Sequence, residues 1–229
     1  MEYKNESVNP YNSTSLAEQL PQHERRYYIP PAEHKAGKGY LIIKRVFDMV
    51  FATIVLLLLS VPMLILLGVI AADSPGAPIY KQERLGLHGR TFTILKFRTM
   101  RLDAEKDGPK WAEENDERCT SVGRFLRNHR LDELPQLINI IKGEMSFVGP
   151  RPERKCFYDE FEKYIDGFSN RLEAIPGVTG LAQINGGYDL LPEEKIVYDM
   201  EYINNRSVRM DAACLFKTVR IILTHNGAR

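Results

Sequence analysis

MVFATIVLLLLSVPMLILLGVIAA, residues 49–72, carries no charged side chain. A run of more than about 18 apolar residues reads as a bilayer segment, since that length matches the hydrocarbon core. A long polar stretch precedes it and no small-residue cleavage site follows Ala72, so it does not read as a secretory signal peptide. Pro62, near its middle, removes a backbone hydrogen bond and clashes with the preceding turn, which predicts a kink at Ser60-Val61-Pro62. The Ser60 hydroxyl is placed to satisfy a freed carbonyl there. Lys44 and Arg45 precede the run, and Lys81, Arg84 and Arg90 follow it, so counting positive charges picks neither side. The residues leave two topologies: one kinked spanning helix, or a helix-break-helix hairpin that dips into one leaflet and returns.

Outward on the N-terminal side, residues 1–39 are polar and contain Pro10, Pro21, Pro30 and Pro31. Such a composition predicts a mobile arm, because it buries too little apolar surface to order itself. Residues 40–73 form the membrane element and residues 74–229 a globular domain. Its first part, Pro78–Arg84 and Thr91–Met100 around Gly86-Leu87-His88-Gly89, reads as a small β-hairpin. Residues 103–118 are highly charged and broken by Gly108-Pro109, which reads as a solvated excursion. Residues 121–129 have helical spacing. In Leu131-Asp132-Glu133-Leu134-Pro135, Asp132 as N-cap would put Pro135 in the tolerated first turn, with Gly143 as the C-terminal stop. Gly149-Pro150-Arg151-Pro152 must be extended. An amphipathic helix is expected over Phe157–Ile175, a glycine-rich loop from Pro176 to Gly187, a helix from Pro192, and a last one over Met210–Leu223 that suits either a core or a membrane interface. The fold class is therefore α+β and mainly helical.

With 31 basic and 30 acidic side chains the formal charge is +1, which argues against a nucleic-acid partner held by excess charge. Three separated cysteines suggest neither a disulfide framework nor a zinc site, and a reducing compartment fits best. No H-E-x-x-H, phosphate-loop or dinucleotide fingerprint occurs.

The constellation that remains is Asp132-Glu133 among arginines. Helical neighbours diverge by about 100°, a poor arrangement for the two carboxylates of a glycosidase. Divided labour suits them better, with one carboxylate attacking and the other holding a metal. A carboxylate attacking a diphosphate meets charge repulsion that cations must offset. Arg98, Arg124, Arg127, Arg130 and Arg151 supply guanidinium groups, which grip phosphate oxygens in pairs. Mg²⁺ is the matching ion, since it takes one or two carboxylates plus substrate phosphates. The competing reading makes Asp132 a helix cap and the charges surface electrostatics.

Lys44-Arg45, Ser60 with Pro62, Lys96-Phe97-Arg98-Thr99-Met100, Leu131-Asp132-Glu133-Leu134-Pro135-Gln136-Leu137, Gly149-Pro150-Arg151-Pro152 and Pro176-Gly177-Val178-Thr179-Gly180 occur in that order. From residue 41 onward, this array resembles the bacterial sugar transferases known as monotopic phosphoglycosyl transferases. The resemblance implies transfer of a sugar phosphate from a UDP-sugar to a polyprenyl phosphate such as undecaprenyl phosphate, with release of UMP, as the first membrane step of exopolysaccharide, capsule or glycan synthesis. It makes Asp132 the nucleophile and Glu133 the Mg²⁺ ligand, and it assigns Arg127 and Arg151 to phosphate. It also implies a re-entrant hairpin marked by Lys44, Arg45, Ser60 and Pro62, accessory helices in the interface, and a domain on the cytoplasmic face of the bacterial inner membrane. A homodimer or downstream glycosyltransferases would be its protein partners. Two departures stand out. Some members carry an arginine after Asn-Gly where this sequence has Gly187, and the family's Ser-Pro break is interrupted by Val61. Two rival readings are a membrane-tethered scaffold for a polysaccharide assembly complex and a hydrolase of pyrophosphate linkages.

Overall fold

The computed structural model describes residues 27–34, 36–106, 108, 116–186 and 190–224. A short strand β1 (Tyr27–Tyr28) leads into a 36-residue helix α1 (Lys38–Asp73). Strands β2 (Ile79–Leu85) and β3 (Thr91–Phe97) form the expected hairpin, in antiparallel register from Ile79↔Phe97 to Leu85↔Thr91. Helix α2 (Ser121–Asn128) starts at Thr120, whose hydroxyl accepts from Gly123 N at 2.9 Å. A 3₁₀ turn at Leu131–Glu133 precedes α3 (Gln136–Lys142). Next come β4 (Ser146–Val148), α4 (Lys155–Phe161), β5 (Ile165–Asp166) and a 3₁₀ stretch over Phe168–Glu173. The chain closes with β6 (Gly177–Thr179), α5 (Leu181–Asn185), α6 (Pro192–Asn205) and α7 (Val208–Thr224). Two parallel pairs, β1 with β5 and β4 with β6, complete an α+β fold that is mainly helical.

Pro62 lies inside α1, so the apolar run is a single helix and not two separate ones. The Ser60 hydroxyl donates to Leu57 O at 2.8 Å, covering one carbonyl of the turn the proline disturbs. At about 1.5 Å per residue α1 is ~54 Å long, well beyond the ~30 Å of a bilayer's hydrocarbon core. Among the described residues it is the one helix long and apolar enough to cross a membrane. Its side chains divide into two faces. Asp48, Ala52, Met63 and Ile70 are buried, with Val55, Leu56, Leu59, Leu66 and Leu67 packed beside them, a spacing of three and four that follows one stripe. Leu57, Leu58, Val61 and Leu64 on the other face are 63–74% exposed.

The buried stripe joins two of the three apolar clusters. Ala52 packs with Phe92, Ile94, Leu137, Ile140 and Met145, while Met63 and Ile70 pack with Phe97 and Leu126. Both ends of the helix are also bonded to the same globular body. At the start, Lys44 Nζ donates to Asp211 Oδ2 at 2.9 Å, and the Arg45 guanidinium donates to Ile140 O and Ile141 O at 2.6 and 2.7 Å. Arg45 thus caps the carboxyl end of α3, which stops at Gly143, a glycine held at φ 84 where a side chain would be strained.

Four expectations are corrected. Residues 27–34 of the supposed mobile arm are docked: Ile29 N donates to Asp166 O at 2.8 Å, and Asn204 Oδ1 accepts from Glu33 N at 2.9 Å. Residues 1–26 lie outside the described residues. The helix expected over Phe157–Ile175 ends at Phe161, because Ile165–Asp166 pairs with β1 and the Glu162 carboxylate gathers the N–H groups of Gly167 and Ser169. Asp132 is not the N-cap of α3. Pro135 occupies that position, which leaves the acidic pair in the 3₁₀ turn ahead of it. The glycine-rich segment is not a plain loop either, since it holds β6 and α5.

Candidate active site

The Asp132-Glu133 pair is presented by a sharp change of direction. Arg130, between α2 and the 3₁₀ turn, takes a left-handed backbone (φ 55, ψ 21), a conformation costly for a residue with a side chain. That bend brings the pair against β3 from one side and against the extended Gly149–Pro152 piece from the other. Glu133 Oε1 accepts from Lys96 Nζ at 2.9 Å and from Arg151 Nη2 at 2.5 Å. Lys96 Nζ lies 4.0 Å from Asp132 Oδ2.

The two carboxylates are driven in opposite directions. Burial alone would raise the pKa of Glu133, but the charges of Arg151 and Lys96 and their hydrogen bonds outweigh it and hold Glu133 well below the usual carboxylate range. For Asp132 burial dominates, and the neighbouring Glu133 charge adds to it against Lys96, Arg151 and Arg127, so its pKa is raised. The geometry thus sets a firmly ionised acceptor beside a more basic, more nucleophilic one. Both line a cavity of about 670 Å³ that also reaches Arg127, Arg154 and Lys195.

Of the arginines singled out in the sequence, Arg151 touches the pair directly. Arg127 lines the same cavity, with Nη1 donating to Cys119 Sγ at 3.0 Å and lying 4.0 Å from Asp116 Oδ2. Arg130 lines it as well, whereas Arg124 is exposed on α2. Arg98, also expected at phosphate, lines the cavity too, and its guanidinium is hydrogen-bonded to backbone. It is buried at the carboxyl end of α1, donating to Pro75 O at 2.8 Å and to Ser74 O and Ile70 O at 2.7 and 3.3 Å. Besides Arg151, the cation at the dyad is Lys96, two residues before Arg98, a role the sequence reading did not give it. The basic pair flanking Phe97 offered no sign of which member turns toward the acids.

Arg171 is the second residue missed. It is 3% exposed, pairs with Asp199 at 2.6 Å, and lies over the Phe168 ring at 5.0 Å. Its Nη2 donates to Arg151 O at 3.0 Å, which fixes the backbone that aims Arg151 at Glu133. The amphipathic helix expected over Phe157–Ile175 gave no sign of it.

The donor set suits Mg²⁺. Among the described residues no group of three His, Cys, Asp or Glu side chains gathers as a closed metal cage, and Mg²⁺ uses one or two carboxylates with the remaining positions filled by phosphate and water. Glu133, kept ionised and lining the cavity, is a carboxylate of the kind such an ion takes.

A long apolar helix open on one face, beside a cation-rich cavity that holds a carboxylate pair, describes an α+β protein with a candidate membrane element and a candidate acidic site. The chain belongs to the bacterial sugar transferase family, whose model matches residues 39–225. It is 42% identical over 193 residues to UDP-N-acetylgalactosamine-undecaprenyl-phosphate N-acetylgalactosaminephosphotransferase of Aeromonas hydrophila, covering 83% of this chain and 46% of that protein. To undecaprenyl-phosphate galactose phosphotransferase of Salmonella typhimurium it is 38% identical over 208 residues, 84% of this chain and 43% of the relative. To UDP-glucose:undecaprenyl-phosphate glucose-1-phosphate transferase of Escherichia coli it is 40% identical over 183 residues, 78% of this chain and 39% of the relative. The chain spans less than half the length of these relatives.

Proposed function

We propose that the protein is a phosphoglycosyl transferase that moves a sugar 1-phosphate from a UDP-sugar to undecaprenyl phosphate. The observation that carries this reading is the division of the dyad: Asp132 with a raised pKa and, among the described residues, no hydrogen-bonded cation, Glu133 clamped by Lys96 and Arg151. In the first half-reaction an Asp132 carboxylate oxygen attacks the sugar-bearing phosphorus. The bond from that phosphorus to the bridging oxygen breaks, and its electron pair leaves with UMP. In the second, a phosphate oxygen of the lipid attacks the same phosphorus, and the electron pair of the aspartyl–phosphorus bond returns to Asp132. Lys96, Arg127 and Arg151 offset the negative charge that both steps bring together. Glu133 would hold Mg²⁺, which when bound would supply further charge neutralisation at the phosphates.

The same reading places the protein at the cytoplasmic face of the bacterial inner membrane, with α1 embedded without crossing. Supporting it, both ends of α1 are bonded to one globular body and the buried stripe runs between them, so a spanning orientation would carry Phe92, Leu126 and Ile140 into the bilayer with it. The test of the chemistry is incubation of the membrane-extracted protein with UDP-sugars, with and without Mg²⁺ and undecaprenyl phosphate. A phosphosugar adduct on the peptide containing Asp132, seen by mass spectrometry with donor alone, is expected. Full turnover by Asp132→Asn, or no UMP from any donor, would refute it and favour a scaffold.

A further inference from the structure

Arg151 follows β4 by three residues, so its reach to Glu133 depends on how firmly that strand is fixed. Among the described residues β4 has one strand neighbour, β6. From that side Pro176 O accepts from Ser146 N and Thr179 O from Gly149 N, both at 2.9 Å. Two further backbone groups of β4 are met by side chains. Asp48 Oδ1 of α1 accepts from Phe147 N at 3.2 Å, and the Tyr202 hydroxyl of α6 donates to Val148 O at 3.1 Å. Both side chains are buried, which is unfavourable for a carboxylate or a hydroxyl unless its hydrogen bonds compensate. Tyr202 is in turn tied back to α1. Its one hydroxyl proton is shared with Asp211 Oδ1 of α7 at 2.8 Å, while Asp211 Oδ2 accepts from Tyr40 Oη and Lys44 Nζ, each at 2.9 Å. Tyr40, Lys44 and Asp48 recur every four residues, one face of the opening turns of α1.

We infer that Asp48 and Tyr202 are positioning residues for sugar phosphate transfer, acting through β4 on Arg151, an inference that rests on the proposed function. The link from strand to guanidinium is short. Gly149-Pro150 joins them, and the proline ring fixes one of the few backbone angles between Val148 and Arg151. On the far side Arg171 Nη2 holds Arg151 O, so the segment is pinned before and after the clamp. Removing either side-chain tie leaves a backbone group of β4 without its partner and frees the strand on the side away from β6. A displacement of about 1 Å at a group that must meet a reacting centre is the scale at which roughly 10²-fold in rate is lost. The first turns of α1 thereby act on the chemistry without touching a substrate.

The test uses the full chain in phosphatidylcholine nanodiscs. Tyr202→Phe deletes the hydroxyl and keeps the ring, Asp48→Ala deletes the acceptor, and Asp48→Asn keeps an oxygen that can accept from Phe147 N. Hydrogen-exchange mass spectrometry is expected to show amides of residues 147–153 exchanging at least tenfold faster in Tyr202→Phe and Asp48→Ala, with the hairpin at 79–97 unchanged. With the UDP-hexose that yields the wild-type adduct, the rate of adduct formation at saturating donor is expected to fall at least tenfold in both. The half-saturating donor concentration should stay within threefold, and Asp48→Asn should recover the rate to within threefold of wild type. In an Arg151→Lys background, where the clamp is already altered, Tyr202→Phe should cost less than a further threefold, because residues acting through one group are not additive. A role confined to stability predicts unchanged saturated rates for the folded protein. That result, exchange that rises equally throughout the chain or not at all in 147–153, no recovery in Asp48→Asn, or a full tenfold loss in both backgrounds overturns the positioning role. If the wild-type chain forms no adduct, the proposed chemistry fails, and the exchange data decide whether the two side chains hold the Arg151 segment.

Discussion

Replacing Lys96 with methionine removes a cation that lies within 4.0 Å of both carboxylates. The ammonium lies 4.0 Å from Asp132 Oδ2, a separation worth about 1 kcal/mol in water and about 4 kcal/mol at the effective dielectric of a protein surface. Its loss removes the largest of the charges that oppose burial at Asp132, so the Asp132 pKa rises further. Glu133 loses a charge-assisted hydrogen bond as well, about 1.5–3 kcal/mol, which corresponds to a roughly 10- to 150-fold slower attack if it is expressed in the transition state. The sign of the pH effect is fixed: a raised pKa means that the attacking carboxylate is lost as the solution is acidified, earlier than for an ordinary aspartate. Rapid-quench measurement of adduct formation from donor alone, across pH, should show an acid limb above the ordinary value of 3.8. Lys96→Met should move that limb upward, and Lys96→Arg should leave it near its original place. A limb that stays fixed in Lys96→Met, or moves down, would refute the assignment of Lys96 as the counter-ion of the nucleophile.

Arg98→Met should lower the thermal midpoint, at a cost on the order of 3 kcal/mol for carbonyls left unpaired, while donor KM stays within about threefold. A large KM effect would instead place Arg98 at the donor phosphates. Arg171→Met leaves Asp199 charged and buried, a loss of about 3–5 kcal/mol, and chemical denaturation should show Asp199→Asn in the same chain recovering part of it. Gly177→Ala would set a Cβ 2.1 Å from Gly149 N. The β4–β6 pair must then separate, and both adduct formation and thermal stability should fall, whereas an unaffected variant would mean the close approach is dispensable.

Much of this arrangement is written locally. The β2–β3 hairpin, the start of α6 at Pro192 and the stop of α3 at Gly143 each follow from residues adjacent in the chain, whose φ preferences and missing donors act at short range. Elements made by distant partners were illegible. The strand at Ile165–Asp166 exists because Tyr27–Tyr28 lies beside it, and no periodicity in residues 157–175 announces that. The dyad was visible because its two acids are consecutive, and Arg151 because prolines on both sides restrict it. Lys96 and Arg98 could not be told apart, since what separates them is the unpaired carboxyl end of α1, more than twenty residues upstream. Arg171 was invisible for the same reason: its value comes from Asp199 and from the Arg151 carbonyl, both far away along the chain.

Because α1 contributes side chains to two of the three apolar clusters, its attachment to the rest of the protein is unlike that of a tether. Trimming it to obtain a water-soluble fragment would empty those clusters and take the cap off α3, so no autonomous catalytic piece is to be expected from truncation at Asp73. Biogenesis inherits the same condition. The hairpin and the dyad-bearing turn cannot finish packing until the helix lies against them, so its docking is a step of folding rather than a delivery that follows it.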